Sequence, residues 1–189
     1  MNESDKLTKI REIANKYDNL IKMINERKIM INYVSPKRRK YLNILLNKEF
    51  LSNNLDEFKK FDNAFKTSIK SDKNEAKTKI NLLSFISKKA KNDAISKIDL
   101  DTTDSYDKVK KILDFANISD YKIFLINKAN NLDFPDDASA KTIKDIITKI
   151  NSNELNSLNQ FKEIEVKLDE IAINIIKSKI SLAKLKSKM

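Results

Sequence analysis

The chain of 189 residues contains no glycine, cysteine, histidine or tryptophan, and only two prolines. Without histidine or cysteine it has no imidazole base, no thiolate nucleophile and no imidazole or thiolate metal ligand. Without glycine it lacks the phosphate-binding loops of P-loop and dinucleotide-binding proteins. These absences exclude most enzyme chemistry. We therefore predict that the protein is not an enzyme and has no catalytic residues, no metal site and no cofactor.

Long apolar runs are also absent, and the first six residues are polar or charged apart from Met1. We therefore place no signal peptide and no transmembrane helix in the chain. Two interpretations stay open: a cytoplasmic protein, or a mature exported domain whose leader and lipid-anchor cysteine were replaced by Met1. Hydrophobic residues make up 40% of the chain, which is enough to bury a core.

Positive charge is concentrated in the first half of the chain. The net charge is +11, and residues 1–98 carry 23 basic and 12 acidic side chains, whereas residues 99–189 carry 15 of each. The densest run, Lys37, Arg38, Arg39 and Lys40, holds two of the four arginines and is our first candidate binding site, for phosphates or carboxylates. A solvated first turn of a helix is the alternative. Because no recognised nucleic-acid module accompanies the run, we do not expect nucleic-acid binding at physiological salt.

Apolar residues recur at helical spacing almost throughout, which predicts an all-α protein: a multi-helix bundle with short connecting loops and a long C-terminal helix. The first helix is expected from Leu7 to about Tyr33. Its apolar residues are spaced three and four apart at Leu7, Ile10, Ala14, Tyr17, Ile21 and Ile24. The dipeptide Ser35-Pro36 predicts the start of a second helix, because serine is a favoured N-cap and proline a favoured first helical residue.

Two more helices are expected before residue 99. Asn53 and Asn54 end the second helix, and the third presents Phe58, Phe61 and Phe65 on one face, which we assign to the core. Asp72 with Glu75 forms a candidate capping pair for a fourth helix, which continues to Ile98.

The composition divides the chain into three segments. Residues 1–98 form a basic bundle of about four helices, residues 99–152 a three-helix unit, and residues 153–189 a long helix packing on one or both. The first boundary lies in the polar stretch 99–107. Its aspartates are spaced partly as in a calcium loop, but Asp104 stands where glycine is required and Lys110 where glutamate is required. We interpret this stretch as a linker.

In the three-helix unit, helices are expected at 107–116, at 120–130 capped by Ser119, and at 140–150 capped by Ser139 after a turn at 134–137. The last helix, from about Glu154 to Lys188, has a heptad seam that requires a partner helix. The seam residues are Phe161, Ile164, Leu168, Ile171, Ile175, Ser178, Leu182 and Leu185. Beyond Glu170 this helix has lysines but no acidic residue, so its end suits an anionic membrane, a dimer, or the negative end of the helix dipole.

The sequence Asn117-Ile118-Ser119-Asp120, followed by Leu125 to Ala129, resembles the start of the second helix of the GA module. The GA module is a three-helix albumin-binding domain of bacterial surface proteins. The resemblance covers residues 104–152 and implies a three-helix fold with a protein ligand. It indicates four candidate binding residues: Ser119, Asp120, Tyr121 and Phe124.

The segment departs from the GA pattern at residues 132–138, which lengthen a loop, and loops of that family contribute to its binding face. Albumin itself is therefore not the expected ligand. The composition is also similar to that of lysine- and asparagine-rich helical lipoproteins of spirochaetes, many of which bind host serum proteins. We expect a non-catalytic protein-binding module of a bacterial surface protein that engages a host protein. The alternative is an intracellular basic protein that binds nucleic acid or assembles through its C-terminal helix.

Overall fold

The computed structural model describes residues 3–51, 58–132, 137–152 and 154–186. These residues form seven helices and no strand, which confirms the predicted all-α fold. The helices are α1 Glu3–Ile31, α2 Pro36–Leu51, α3 Phe58–Leu82, α4 Lys88–Asp99, α5 Tyr106–Asn130, α6 Asp137–Asn151 and α7 Leu158–Lys186. Within the described ranges, no helix combines the length and the apolar character needed to cross a membrane.

The chain divides into two compact units, each made of two stretches of sequence. Unit 1 comprises Met1–Thr78 with Lys97–Lys111, and unit 2 comprises Lys79–Ser96 with Ile112–Met189. Each unit has its own hydrophobic core.

The core of unit 1 lies between α1, α2 and α3. Its buried residues are Ile31, Val34, Leu42, Leu46, Phe58 and Phe61. Phe65 packs against this core with its ring stacked on that of Phe61, the centroids 6.5 Å apart. The phenylalanine face predicted for the core is therefore confirmed as core. Arg27 of α1 closes one side, with its guanidinium 4.5 Å from the Phe58 ring centroid and 2.8 Å from an oxygen of Asp62.

Helix α2 begins at Pro36, as the Ser35-Pro36 signal predicts. The cap differs from expectation, since the Ser35 hydroxyl is buried and has no hydrogen-bond partner among the described residues. Instead, the backbone N–H of Ser35 donates to the carboxylate of Asp72 on α3, at 2.9 Å. The predicted role of Asp72 and Glu75 as the start of a helix is wrong. Helix α3 continues through both residues, whose carboxylates bond to α2 or to the residue before it instead of capping a helix of their own.

The predicted fourth helix to Ile98 is also interrupted. Helix α3 ends at Leu82, and α4 starts at Lys88 with the Ser87 hydroxyl accepting the N–H of Ala90 as an N-cap. The Asp120 carboxylate satisfies the connecting backbone by accepting the N–H groups of Phe85 and Ile86, at 2.5 and 2.9 Å. This long-range contact and the Ser87 cap together account for the break.

The core of unit 2 lies between α5, α6 and α7. Its buried residues are Leu125, Ala129, Ile143, Ile150, Leu155, Phe161, Ile164 and Leu168. Helix α7 starts with a capping box, in which the Gln160 N–H donates to the Ser157 hydroxyl and the Gln160 side chain accepts the Ser157 N–H. The predicted heptad seam is buried or partly buried as far as Ile175 and exposed beyond it.

Helix α5 is continuous from Tyr106 to Asn130, so the predicted break before Ser119 is wrong. The Ser119 hydroxyl donates to the carbonyl of Phe115 one turn back, the local bond that serine makes inside a helix. Ser139 likewise lies within α6, which begins two residues before it. Asn53 and Asn54, and most of the predicted turn at 134–137, lie outside the described residues.

Candidate protein-binding surface

The basic run of α2 is held mainly by contacts within unit 1. Lys37 and Arg38 each approach an oxygen of Glu75 to 2.5 Å, and Arg38 Nε lies 3.4 Å from Asp72 Oδ1. The Lys37 and Arg38 hydrogen bonds hold the pKa of Glu75 below its usual value. Because Lys37 and Arg38 face acidic residues of α3, they stabilise the contact between α2 and α3.

The other two residues of the run point elsewhere. The Arg39 guanidinium donates to the carbonyls of Val34 and Asn32, both at 3.1 Å, and so satisfies the turn after α1. Lys40 is exposed. The run is therefore not a cluster of four cations converging on one surface, and three of its members have structural partners.

The second predicted group, on α5, lies within unit 2. Ser119 and Asp120 bond to the backbone as described above, while Tyr121 and Phe124 pack partly buried against the core with their ring centroids 5.5 Å apart. Phe85, which the sequence analysis did not select, lies 5.3 Å from the Phe124 ring. No short-range pattern identifies Phe85, because its partners are more than 30 residues away in the sequence.

Charged groups of α7 meet this aromatic cluster. The Tyr121 hydroxyl donates to Glu165, and Lys128 bonds to Glu165 and Asp169 at 3.2 and 2.8 Å. Burial lowers the pKa of Lys128, but its bonds to Asp169 and Glu165 outweigh that effect and raise the pKa overall. These polar groups pair with one another across α5 and α7, so Tyr121 and Lys128 join the two helices.

Tyr121 gives the cluster a measurable pH dependence. Burial, and then the hydrogen bond to Glu165, raise the pKa of Tyr121 to about 12. The unfolded tyrosine ionises near pH 10, so between about pH 10 and 12 the folded state retains a proton that the unfolded state loses. The contribution of Tyr121 to the free energy of unfolding is therefore fully present below pH 10 and is lost as the pH rises through 12.

Ultraviolet titration should show that Tyr121→Phe lacks the phenol that ionises at the highest pH, and that Glu165→Gln lowers the pKa of Tyr121. An unchanged titration in both variants contradicts the assignment.

A shallow groove lies beside α5 in unit 2. It has a volume of about 330 Å³ and is lined by Asp114, Ile118 and residues 156–159. Among the described residues, no group of three or more acidic side chains is placed to hold a metal ion.

Several exposed apolar side chains of unit 2 lie on the last turns of α7, residues 173–186, here called the α7 terminal segment. Ile175 is buried, and every other residue in the segment is exposed. Five large apolar side chains are 51–63% exposed: Ile173, Ile176, Ile180, Leu182 and Leu185. The predicted heptad seam includes the two leucines but not the isoleucines, although the i, i+3, i+7 spacing of the isoleucines forms a second apolar stripe.

Only basic side chains carry charge in this segment: Lys177, Lys179, Lys184 and Lys186. At about 100° per residue, Ile180 and Leu182 lie about 160° apart around the helix. The lysines separate the isoleucine stripe from the leucines. The segment therefore offers apolar contacts on more than one side, each bordered by positive charge.

No protein-family model, curated protein or solved structure matches the chain.

Proposed function

We propose that this chain is a non-catalytic helical protein-binding module of a bacterial surface protein, and that its α7 terminal segment contacts a host protein. The observation that carries the proposal is the group of five half-exposed isoleucine and leucine side chains, which form two stripes on that segment. Exposed apolar surface bordered by polar side chains is typical of a protein interaction site.

The charge of the segment favours an acidic partner. No acidic residue follows Glu170, so two copies of the segment repel each other, whereas a surface rich in aspartate or glutamate complements the lysines. A membrane surface fits less well. A helix lying in a bilayer interface needs one broad apolar face, and here the apolar side chains lie on two sides with lysines between them.

Two features of the sequence support the bacterial and host parts of this proposal. The sequence Asn117–Asp120 resembles that of the GA module, although residues 104–152 hold two helices, α5 and α6, where that module has three. The whole composition is similar to that of spirochaetal surface lipoproteins. Both groups of proteins are displayed to host serum. The candidate residues Tyr121 and Phe124 are partly buried in core contacts, and they therefore contribute less accessible surface than the α7 terminal segment.

A capture experiment from serum tests this function. The immobilised chain is compared with the double variant Ile176→Asp/Ile180→Asp and with a control, Ile29→Asp/Val166→Asp, which changes two equally exposed apolar residues elsewhere. We expect the wild type and the control to retain a serum protein that the α7 variant binds at least about tenfold more weakly, since buried apolar anchors dominate interface energies.

Parallel samples contain anionic vesicles and duplex DNA over a range of salt concentrations. Equal capture by the α7 variant, or no serum protein captured by the wild type, contradicts the proposal. Tight DNA binding that falls steeply with salt supports the alternative of an intracellular nucleic-acid-binding protein. Retention on vesicles alone assigns the segment to a membrane surface.

A further inference from the structure

We propose that the first half of α1 pairs with the same segment of a second copy of this chain, as an antiparallel two-helix coiled coil. Residues 3–19, here called the α1 extension, are all exposed. The part of α1 that packs on the unit 1 core begins only at Leu20, which contacts the core together with Met23 and Ile24. This pairing goes beyond the proposed function and uses a different helix.

The α1 extension carries an apolar seam with coiled-coil spacing. Leu7, Ile10, Ala14, Tyr17 and Ile21 follow one another at intervals of three and four residues, and the four large side chains among them are 54–62% exposed. Ile24 continues the spacing to the edge of the core. A seam that repeats every 3.5 residues lies along one side of a helix and is stabilised by a second helix with the same repeat.

Packing complementarity fits a second copy in antiparallel orientation. When Ile10 faces Ile21 of the other copy, Ala14 faces Tyr17, and Leu7 lies level with Ile24, whose side chain is partly buried against the unit 1 core. The four exposed positions Ile10, Ala14, Tyr17 and Ile21 then all find apolar partners in layers related by a twofold axis. At the centre, the smallest seam residue lies opposite the largest, so both tyrosine rings have room.

Charges beside the seam select the same register. Arg11 and Asp18 occupy equivalent flanking positions, each following the second apolar residue of a heptad. In the antiparallel register, Arg11 of each copy is level with Asp18 of the other, which gives two pairs of opposite charge. In a parallel pair, Arg11 instead faces Lys6 of the other copy. An antiparallel pair shifted by one heptad brings the two Arg11 side chains together.

Charge exchange in the full chain tests the pairing. Sedimentation equilibrium should show a reversible dimer for the wild type. Arg11→Glu and Asp18→Arg should each raise the dissociation constant about tenfold, because each turns two attractive pairs into repulsive ones. The combined variant Arg11→Glu/Asp18→Arg should restore the wild-type constant. Both positions are exposed, so the variants are expected to fold, and circular dichroism checks that they do.

Other results overturn the proposal in distinguishable ways. If the wild type stays monomeric up to about 0.1 mM, the proposed dimer is contradicted. Tighter association of Arg11→Glu indicates a parallel dimer, in which the introduced carboxylate faces Lys6 of the other copy. A dimer that resists the charge changes but is lost in Ile176→Asp/Ile180→Asp places the interface on α7. The serum-capture result does not affect these outcomes, so the two proposals fail independently.

Discussion

Leu168→Ala is expected to lower the free energy of unfolding by about 3–5 kcal/mol, the loss typical of a buried leucine. The Leu168 side chain is fully buried in the core of unit 2, between residues of α5, α6 and α7. Removing its methyl groups loses their burial and leaves a cavity that the surrounding helices fill only in part. Urea unfolding followed by circular dichroism measures the change, as a shift of the transition that reports unit 2.

Leu182→Ala is the matched control, since it makes the same chemical change on the same helix. The Leu182 side chain is 51% exposed, so its truncation should change stability by less than about 0.5 kcal/mol. Equal losses in the two variants contradict the division of α7 into a buried half and an exposed terminal segment. A loss for Leu182→Ala that grows on dilution indicates that the segment is buried in an oligomer.

Asp72→Ala should destabilise unit 1 by about 3 kcal/mol, the loss typical when one partner of a buried polar contact is removed. The carboxylate of Asp72 is 1% exposed, accepts the Ser35 N–H and faces the Arg38 guanidinium. Removing it leaves a buried N–H without an acceptor and weakens the pairing of a largely buried arginine. The same urea titration measures the loss, in the transition that reports unit 1.

Glu75→Ala separates this buried contact from surface charge. Glu75 also pairs with Arg38 and lies one turn further along α3, but its side chain is 43% exposed. We expect a change of about 0–1 kcal/mol that diminishes at high salt, as for other solvent-exposed ion pairs. If Glu75→Ala lowers the free energy of unfolding as much as Asp72→Ala does, the start of α2 depends on the whole charge cluster and not on the Asp72 cap.

Local patterns predicted much of the fold. The helical spacing of apolar residues, the Ser35-Pro36 start, the Phe58–Phe65 core face and the buried part of the α7 seam all depend on neighbours within one or two turns. Such features follow from periodicity and backbone restriction.

Several errors came from long-range contacts. Asp72 with Glu75 has the sequence of a helix start, and only the packing of α2 against α3 shows that these carboxylates serve a different helix. The break after Leu82 depends on Asp120, more than thirty residues away. The error at Ser119 is local instead, since this serine matches a cap in sequence but has an acceptor one turn back in its own helix.

The candidate surfaces were predictable only in part. The lysines at the end of α7 and the apolar spacing of α1 are visible in the sequence. Periodicity does not show, however, whether an apolar stripe is covered by another helix of the same chain. For α7 the stripe is covered up to Ile175 and uncovered after it. The Lys37–Lys40 run was predicted to be open to a ligand because of its charge, but the structure shows ion pairs and hydrogen bonds to the backbone there.

Hydrogen–deuterium exchange on the chain, free and bound to the serum protein it captures, tests the binding role of α7 most directly. The proposed contact predicts slower exchange on binding across residues 173–186, with little change at Lys37–Lys40 or at Ser119–Phe124. Protection centred on either of those two predicted groups, with the α7 terminal segment unchanged, would contradict the assignment of the binding surface.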